Sequence, residues 1–168
     1  MILETNRLFI KALKYDELVK YSNGENPFSD WSIGFSLNEI DENLRPVLDN
    51  KIIPNVKLNK NNYLFFTIWL MVDKKFNLSV GSLSFKGKPD ENGMIEIGYG
   101  THEEFQNKGY MTEAIEAMIR WAFSTGKVKR VIAETAKDNT ASFRILEKNG
   151  FVKYKENDEF FYWKVDNK

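Results

Sequence analysis

The sequence lacks cysteine altogether, contains one histidine and carries no net charge. Across its 168 residues, 24 lysines and arginines balance 24 aspartates and glutamates. Without cysteine the chain can form no disulfide, zinc–thiolate site, iron–sulfur site or thiol nucleophile, and His102 alone makes a histidine-based metal site unexpected. The balanced charge argues against binding nucleic acid through bulk electrostatics. An anionic ligand would therefore have to be bound locally.

Long apolar runs are also missing. No stretch approaches the roughly 18 residues of a transmembrane helix, and the first seven residues lack the basic start and apolar core of a signal peptide. We therefore expect no membrane partner and a cytoplasmic location. The length, together with 42% hydrophobic and 29% charged residues, predicts a single globular domain over residues 1–168.

The spacing of apolar residues predicts a mixed α/β fold. Helical spacing from Leu37 to Leu48, with Ser36 as the cap, indicates a helix, and the polar stretch 49–62 around Pro54 is typical of a mobile connection. Other helices are predicted over 15–21, from about 111 to a stop at Gly126, and over 140–149. Strands are predicted over 7–13, 63–72, 78–85, 94–100, 130–135, 151–155 and 160–165.

The loop before the long helix is the feature most suggestive of chemistry. The segment Gln106-Asn107-Lys108-Gly109-Tyr110-Met111 joins a glycine-containing strand to that helix. A tight turn of this kind exposes backbone N–H groups beside the positive end of the helix dipole, which suits phosphate oxygens. Lys108 could add a point charge, although an ordinary helix start with a solvated lysine is the alternative. The segment is neither a P-loop nor a dinucleotide fingerprint, because the required residues are missing.

Several short motifs follow one another in a defined order. They are the loop at 106–111, Tyr110-Met111-Thr112-Glu113-Ala114, Asn139-x-x-Ser142, the helix ending Leu146-Glu147-Lys148-Asn149-Gly150-Phe151, and the opening Thr5-Asn6-Arg7-Leu8. Together they resemble the GNAT superfamily of acetyl-CoA-dependent N-acetyltransferases, and most closely its branch of ribosomal-protein alanine and serine acetyltransferases. The firm match covers residues 79–165, about half the chain. It implies a largely antiparallel twisted sheet flanked by helices and splayed between the strands near 94–101 and 130–135.

The resemblance also implies a site for acetyl-CoA, with no metal. Backbone N–H groups of 106–111 would hold the pyrophosphate, although Met111 stands where glycine or alanine is usual. The pantetheine arm would lie against the strand ending at 99–101 and hydrogen-bond Asn139, which is also a plain N-cap residue. The cofactor-binding residues implied in this way are Tyr99, Gly100, Thr101, Gln106, Asn107, Lys108, Gly109, Tyr110, Met111, Asn139 and Ser142.

Transfer to a primary amine requires a base, because an alkyl ammonium with a pKa of about 10.4 is mostly protonated at neutral pH. Glu96 lies in an otherwise apolar strand, close to where many GNAT members carry their general base. Strand alternation places it on one side with Gly98 and Gly100. The alternatives are that Glu96 is an exposed, solvated residue and that Glu134, His102 or water acts as the base.

The leaving thiolate also needs a hydrogen-bond or proton donor. Many GNAT enzymes use a tyrosine on the last helix, but Leu146 occupies that position here. Ser142, one turn earlier, is the candidate to hydrogen-bond the thiolate, although a serine in a first helical turn is also a common capping residue. We therefore predict direct attack of an amine on acetyl-CoA, with Glu96 and Ser142 as the catalytic residues.

The sequence leaves the acceptor open between a protein N-terminal amine and a small-molecule amine. Residues 22–62, with Phe28, Trp31 and Phe35, and the hairpin around 157–160 are expected to shape its site. The same aromatic residues are equally consistent with a homodimer contact or with plain core. Because the usual tyrosine is missing, a non-catalytic acetyl-CoA or acyl-CoA sensing or binding module is the alternative function.

Overall fold

A computed structural model of the chain describes residues 1–28 and 44–168. Its strands are β1 Ile2–Glu4, β2 Leu8–Ala12, β3 Ile68–Asp73, β4 Leu78–Phe85, β5 Met94–Thr101, β6 Arg130–Ala136, β7 Val152–Glu156 and β8 Phe160–Asp166. They form one sheet in the order β1-β2-β3-β4-β5-β6-β8-β7. The pairing of β5 with β6 is parallel, and the other pairings are antiparallel. This mixed α/β architecture confirms the predicted fold class.

Helices cover both faces of the sheet. The described α-helices are α1 Tyr15–Ser22, α2 Leu44–Val47, α3 Ile53–Leu58, α4 Tyr110–Ser124 and α5 Thr140–Lys148. A π-helical turn, Leu48–Ile52, joins α2 to α3, and short 3-10 helices cover Lys60–Phe65 and Glu103–Phe105. Within residues 1–28 and 44–168, no helix is long and apolar enough to cross a membrane.

The strand β3 contributes to a hydrophobic core on each face. Trp69 and Met71 point into the core that contains the apolar face of α4, whereas Ile68, Leu70 and Val72 point into a second core with α1 and the helical segment 48–58. All six residues of β3 are buried. Burial on both faces explains why this strand reads as an unbroken apolar run instead of an alternating one.

Helices cover most of the segment 49–62, with a break at Asn59, so it is not the irregular connection that was predicted, and its mobility stays a prediction. Leu48, Ile52 and Val56 recur every four residues, and this stripe is buried in the second core. Pro54 does not end the helical segment: it lies at the start of α3, directly after the π-helical turn, and Ile52 and Ile53 before it keep helical φ/ψ. Exposed asparagines and lysines between the apolar positions concealed the pattern.

The predicted strand over 63–72 begins later than expected. Residues up to Phe65 belong to a 3-10 helix, and β3 starts at Ile68. The Phe65 ring lies 5.3 Å from that of Trp121, and Trp69 Nε1 donates a hydrogen bond to the Leu64 carbonyl at 3.0 Å. A short apolar run does not distinguish a strand from a buried helical turn, so these long-range contacts decide the boundary.

Two further differences concern the first part of the chain. The strand β1 was not predicted, since three residues contain too little alternation to be recognised. Ser36, the predicted cap, and the early part of the predicted second helix lie outside the described residues, as do Trp31 and Phe35. Phe28 is buried in the second core.

The strands β5 and β6 part after three residue pairs. Residues 94–96 pair with 130–132. Beyond them, β5 remains paired to β4 as far as Thr101, and β6 remains paired to β8 as far as Ala136. The two halves of the sheet therefore diverge, which confirms the predicted splay.

We expect truncation of Trp69, at the centre of the first core, to reduce the stability of the fold strongly. Trp69 is fully buried, and its ring lies 4.9 Å from that of Trp121. Trp69→Ala is expected to lower the free energy of unfolding by about 3–5 kcal/mol, measured by urea denaturation. Leu58→Ala is the control, because Leu58 is 81% exposed and its loss should change stability by less than about 0.5 kcal/mol. Similar losses for both variants would contradict this description of the core.

Candidate active site

A cleft of about 640 Å³ lies beside the free end of β5. Because β5 and β6 run parallel, the helices that follow them, α4 and α5, both begin at the same edge of the sheet. The lining residues come from the β5 end, the loop before α4 and the first turns of α4 and α5: Tyr99, Gly100, Thr101, Phe105, Gln106, Asn107, Gly109, Tyr110, Met111, Thr112, Asn139, Thr140, Ala141, Ser142, Arg144, Ile145 and Lys148. The structure thus brings together all the implied cofactor residues except Lys108.

The anion loop, residues 106–109, has the backbone shape of a phosphate site. Asn107 and Gly109 have φ of 59° and 77°, a left-handed conformation that asparagine and glycine tolerate best. The first backbone N–H of α4 that donates a helical hydrogen bond is that of Glu113, which donates to the Gly109 carbonyl oxygen at 3.3 Å. The preceding N–H groups of this helix have no intrahelical partner, and they lie at the positive end of its dipole.

Arg7 supports the anion loop although it is not among the cleft residues. Its Nη1 donates to the Lys108 carbonyl at 2.8 Å, and its Nε donates to Glu113 Oε2 at 2.7 Å. The guanidinium carbon lies 4.6 Å from the centre of the Tyr110 ring. Glu113 also accepts hydrogen bonds from the Arg7 backbone N–H and the Thr5 hydroxyl. The opening motif at 5–8 therefore packs against the helix start more than 100 residues later.

Tyr110 supplies a second anchor for the start of α4. Its hydroxyl donates to Asp73 Oδ2 at 2.8 Å, and burial together with this carboxylate raises the pKa of Tyr110, so the hydroxyl stays protonated. Asp73 Oδ1 accepts from the backbone N–H groups of Lys75 and Phe76 at 2.9 and 2.8 Å. The β3–β4 turn and the anion loop are thus joined through one buried carboxylate.

The positive charge at the cleft comes from residues that the sequence analysis missed. Lys108 Nζ lies 5.2 Å from the centre of the Phe105 ring instead of lining the cleft. Arg144 and Lys148 do line it, one turn apart on α5. Two cations at i and i+4 after a helix cap share one helix face, and this spacing was the available signal. Their charge suits a polyanionic ligand.

Asn139 and Ser142 shape the first turn of α5. Asn139 Oδ1 accepts a hydrogen bond from the Ser142 backbone N–H at 3.1 Å, which confirms the capping role, while its role as a ligand stays a prediction. Ser142 is buried, and its Oγ lies 2.6 Å from Tyr99 Oη on β5. Burial raises the pKa of Tyr99, an effect that this hydrogen bond partly offsets. Leu146 is fully buried one turn further along.

Glu96 lies on the opposite face of β5 from the core that contains α4. Ile95 and Ile97 are buried in that core, and Glu96 alternates with them as predicted. Its carboxylate pairs with Lys86 Nζ, and the Glu96 side chain is 27% exposed. Glu96 is not among the residues that line the cleft. Glu96 can therefore act as the predicted base only for an acceptor that binds on this outer face of the sheet.

The reserve bases also lie outside the cleft lining. Burial lowers the pKa of His102, and the charge of Glu104 only partly opposes this, so the imidazole is neutral at pH 7 and able to accept a proton. Glu134 is exposed on β6. Among residues 1–28 and 44–168, no group of three or more histidine or acidic side chains is placed to hold a metal ion.

The family profile of the acetyltransferase (GNAT) domain matches residues 7–152. The chain belongs to this family. It is a GNAT N-acetyltransferase, and acetyl-CoA is the acyl donor of the family. The profile spans most of the chain, including the anion loop, α5 and both splayed strands.

Individual relatives agree with this assignment. An uncharacterized N-acetyltransferase of Bacillus subtilis, YjdG, is 34% identical over 177 residues, which cover 97% of this chain and 96% of that protein. The ribosomal-protein-serine acetyltransferase of Escherichia coli is 30% identical over 98 residues, 58% of this chain and 52% of its own length. The structure of RimL, a ribosomal L7/L12 alpha-N-protein acetyltransferase, in complex with coenzyme A is 19% identical and has the same fold, with a TM-score of 0.69 over 99% of this chain and 98% of that one.

Removal of the Arg7 guanidinium is expected to loosen the anion loop and weaken binding of coenzyme A. Arg7→Ala deletes both side-chain hydrogen bonds described above. We expect the dissociation constant for coenzyme A to rise roughly 10-fold, measured by isothermal titration calorimetry. Arg120→Ala is the matched control, because Arg120 lies on the exposed side of α4 beside Glu116. An unchanged affinity for Arg7→Ala would show that the loop keeps its shape without Arg7.

The contacts of Glu113 predict a pH-dependent contribution to stability. Burial would raise the pKa of this carboxyl, but hydrogen bonds from Thr5 and Arg7 and the Arg7 charge lower it below the usual 4.5. The ionised form therefore stabilises the fold above pH 4.5, and the contribution is lost as the pH falls through the lowered pKa. Glu113→Gln should be less stable than the unmodified chain at pH 7, with the difference in unfolding free energy shrinking in acid. A pH-independent difference in urea denaturation would refute this.

Proposed function

We propose that this enzyme transfers an acetyl group from acetyl-CoA to a primary amine by direct attack, with both substrates bound at once. The observation that carries the proposal is the cleft, in which the anion loop, the free end of β5 and the capped start of α5 meet. The chain offers no cysteine for an acyl-enzyme.

The cleft residues fit an acyl-CoA. Unpaired N–H groups at the start of α4 suit pyrophosphate oxygens, and Arg144 and Lys148 face the same space. The backbone of 99–101 is no longer paired to β6, so it can hydrogen-bond an extended pantetheine arm in the gap. The ligand would supply a thioester carbonyl, and the proposed groups that polarise it are backbone N–H groups of β5 near Tyr99.

Glu96 is the proposed general base. It lies on the outer face of β5, so an acceptor that reaches it would approach from that face and meet the thioester through the gap between β5 and β6. In the free protein its carboxylate is paired with Lys86. An acceptor ammonium is expected to replace Lys86 at the carboxylate, and the carboxylate can then take the proton that the amine must lose.

Ser142 is the proposed donor to the leaving sulfur. It lies at the cleft, its backbone is fixed by the Asn139 cap, and no phenol is available from position 146. A thiol with a pKa near 8.5 is a moderately good leaving group. One hydrogen bond to the sulfur is therefore a sufficient role, and complete proton transfer before departure is not required.

The acceptor class proposed first is a protein N-terminal amine. The sequence match to the Escherichia coli ribosomal-protein-serine acetyltransferase supports this choice. Glu96 is paired with Lys86 in the free protein, whereas the exposed Glu134 on the neighbouring strand β6 favours a cationic acceptor of either kind. Small-molecule amines are the second candidates.

The test is acetyl-CoA consumption, followed by thiol release, across peptides with free N-termini, polyamines and amine antibiotics. We expect turnover with at least one amine. Glu96→Gln should lower kcat by roughly 100-fold or more without changing the affinity for coenzyme A. Glu116→Gln, on the exposed side of α4, is the control for loss of a carboxylate.

Each other outcome has a defined meaning. Thermal stabilisation by acetyl-CoA without turnover on any amine would favour the non-catalytic binding module. Neither stabilisation nor turnover would overturn both functions. Turnover that Glu96→Gln leaves unchanged would transfer the role of base to Glu134, His102 or water.

A further inference from the structure

Tyr99 has a polar contact that the proposed reaction does not yet use. It lies on β5 and lines the cleft, and its Oη lies 2.6 Å from Ser142 Oγ on α5. The two residues are 43 positions apart in sequence and belong to different elements that both line the cleft. Ser142 is only 6% exposed, so its hydroxyl is held at this contact and not in bulk water.

The direction of this hydrogen bond decides what Ser142 can do. Each hydroxyl has one proton to donate and lone pairs with which to accept. Because burial raises the pKa of Tyr99, its phenol is protonated throughout the neutral range and is able to donate. When Tyr99 donates to Ser142, the proton of Ser142 is left for an acceptor in the cleft. Hydrogen bonds in series polarise one another, so Ser142 becomes a stronger hydrogen-bond donor than it would be without Tyr99.

The position of Leu146 gives this contact its significance. The family resemblance places the usual phenol at that position of α5, where this chain has a fully buried leucine. Tyr99 brings a phenol to the same helix from the facing strand. Together, the Tyr99 phenol and the Ser142 hydroxyl can therefore supply the hydrogen-bond donor that a tyrosine at position 146 would otherwise provide.

We propose that Tyr99 and Ser142 form a hydroxyl relay, in which Tyr99 Oη donates to Ser142 Oγ and Ser142 donates to the sulfur of coenzyme A. The inference rests on the proposed function. The relay stabilises the negative charge on sulfur as the new C–N bond forms and the C–S bond breaks, with the electron pair leaving on sulfur. The acceptor nitrogen loses its proton to Glu96, coenzyme A leaves as the thiolate that Ser142 hydrogen-bonds, and both hydroxyls keep their own protons. Ser142 is the catalytic residue, and Tyr99 is a positioning residue that acts through it.

Binding measurements can isolate the contact with sulfur. Titration calorimetry with coenzyme A and with desulfo-coenzyme A, in which hydrogen replaces the thiol, compares ligands that differ only at this atom. We expect the unmodified enzyme to prefer coenzyme A by roughly 3- to 10-fold. Ser142→Ala should abolish the preference, and Tyr99→Phe should reduce it. Any change in the affinity for desulfo-coenzyme A measures what each side chain contributes to the rest of the ligand, because both residues also line the cleft.

The double variant separates a relay from two independent contacts. Tyr99→Phe is expected to have no further effect in the Ser142→Ala background, since Tyr99 acts only through Ser142. The same pattern should appear in kcat, with the KM of the amine unchanged. Tyr154→Phe is the control for loss of a phenol, because Tyr154 is exposed on β7. Thermal unfolding of each variant reports whether the fold is intact.

The outcomes distinguish failure of the relay from failure of the proposed function. If the unmodified enzyme neither binds coenzyme A nor consumes acetyl-CoA, the proposed function is wrong. If it does both, but Tyr99→Phe leaves the preference for coenzyme A and kcat unchanged, the relay is wrong. Independent losses that multiply in the double variant would also overturn the relay.

Discussion

The early parting of β5 and β6 is the constraint on which the site depends. The two strands are parallel and paired over residues 94–96 and 130–132, and each is then held by its other neighbour. Because β4 holds β5 and β8 holds β6, the two strands cannot come together beyond these residues. The rest of the sheet therefore fixes the gap between them. Because both strands lead into helices at the same edge, two helix starts face one gap. The backbone groups freed there need partners, and an extended ligand is one source of them.

A neutral chain can hold a polyanion because the attraction is built from backbone groups and a few placed cations. The anion loop needs two left-handed residues, Asn107 and Gly109, and such a conformation persists only when its surroundings hold it. Arg7 and Asp73, which both lie outside the cleft lining, provide that support through hydrogen bonds with the Lys108 carbonyl and the Tyr110 hydroxyl. The net charge of zero argues against attraction of a ligand by bulk charge but is compatible with this local arrangement.

Local patterns made much of the fold and part of the site predictable. Alternation placed Ile95 and Ile97 inward and Glu96 outward, and the glycine at 109 marked the start of α4. The helix over 48–58 was missed because its buried stripe is sparse, with exposed polar residues between Leu48, Ile52 and Val56. The hydroxyl contact between Tyr99 and Ser142 was beyond any pattern, since it depends on how far β5 and β6 diverge. Residues on separate elements meet through tertiary geometry that spacing does not encode.

The two faces of β5 divide the chemistry between them. Tyr99 points toward α5 and the cleft, where the leaving sulfur would be held, whereas Glu96 lies on the outer face, where an amine would lose its proton. Side chains along a strand alternate between its two faces, so residues an odd number of positions apart, such as Glu96 and Tyr99, project to opposite sides. In the proposed reaction, the open gap beside the strand would let groups on its two faces reach the same thioester. Further pairing of β5 with β6 would close this gap and, in the proposed reaction, would separate Glu96 from the thioester.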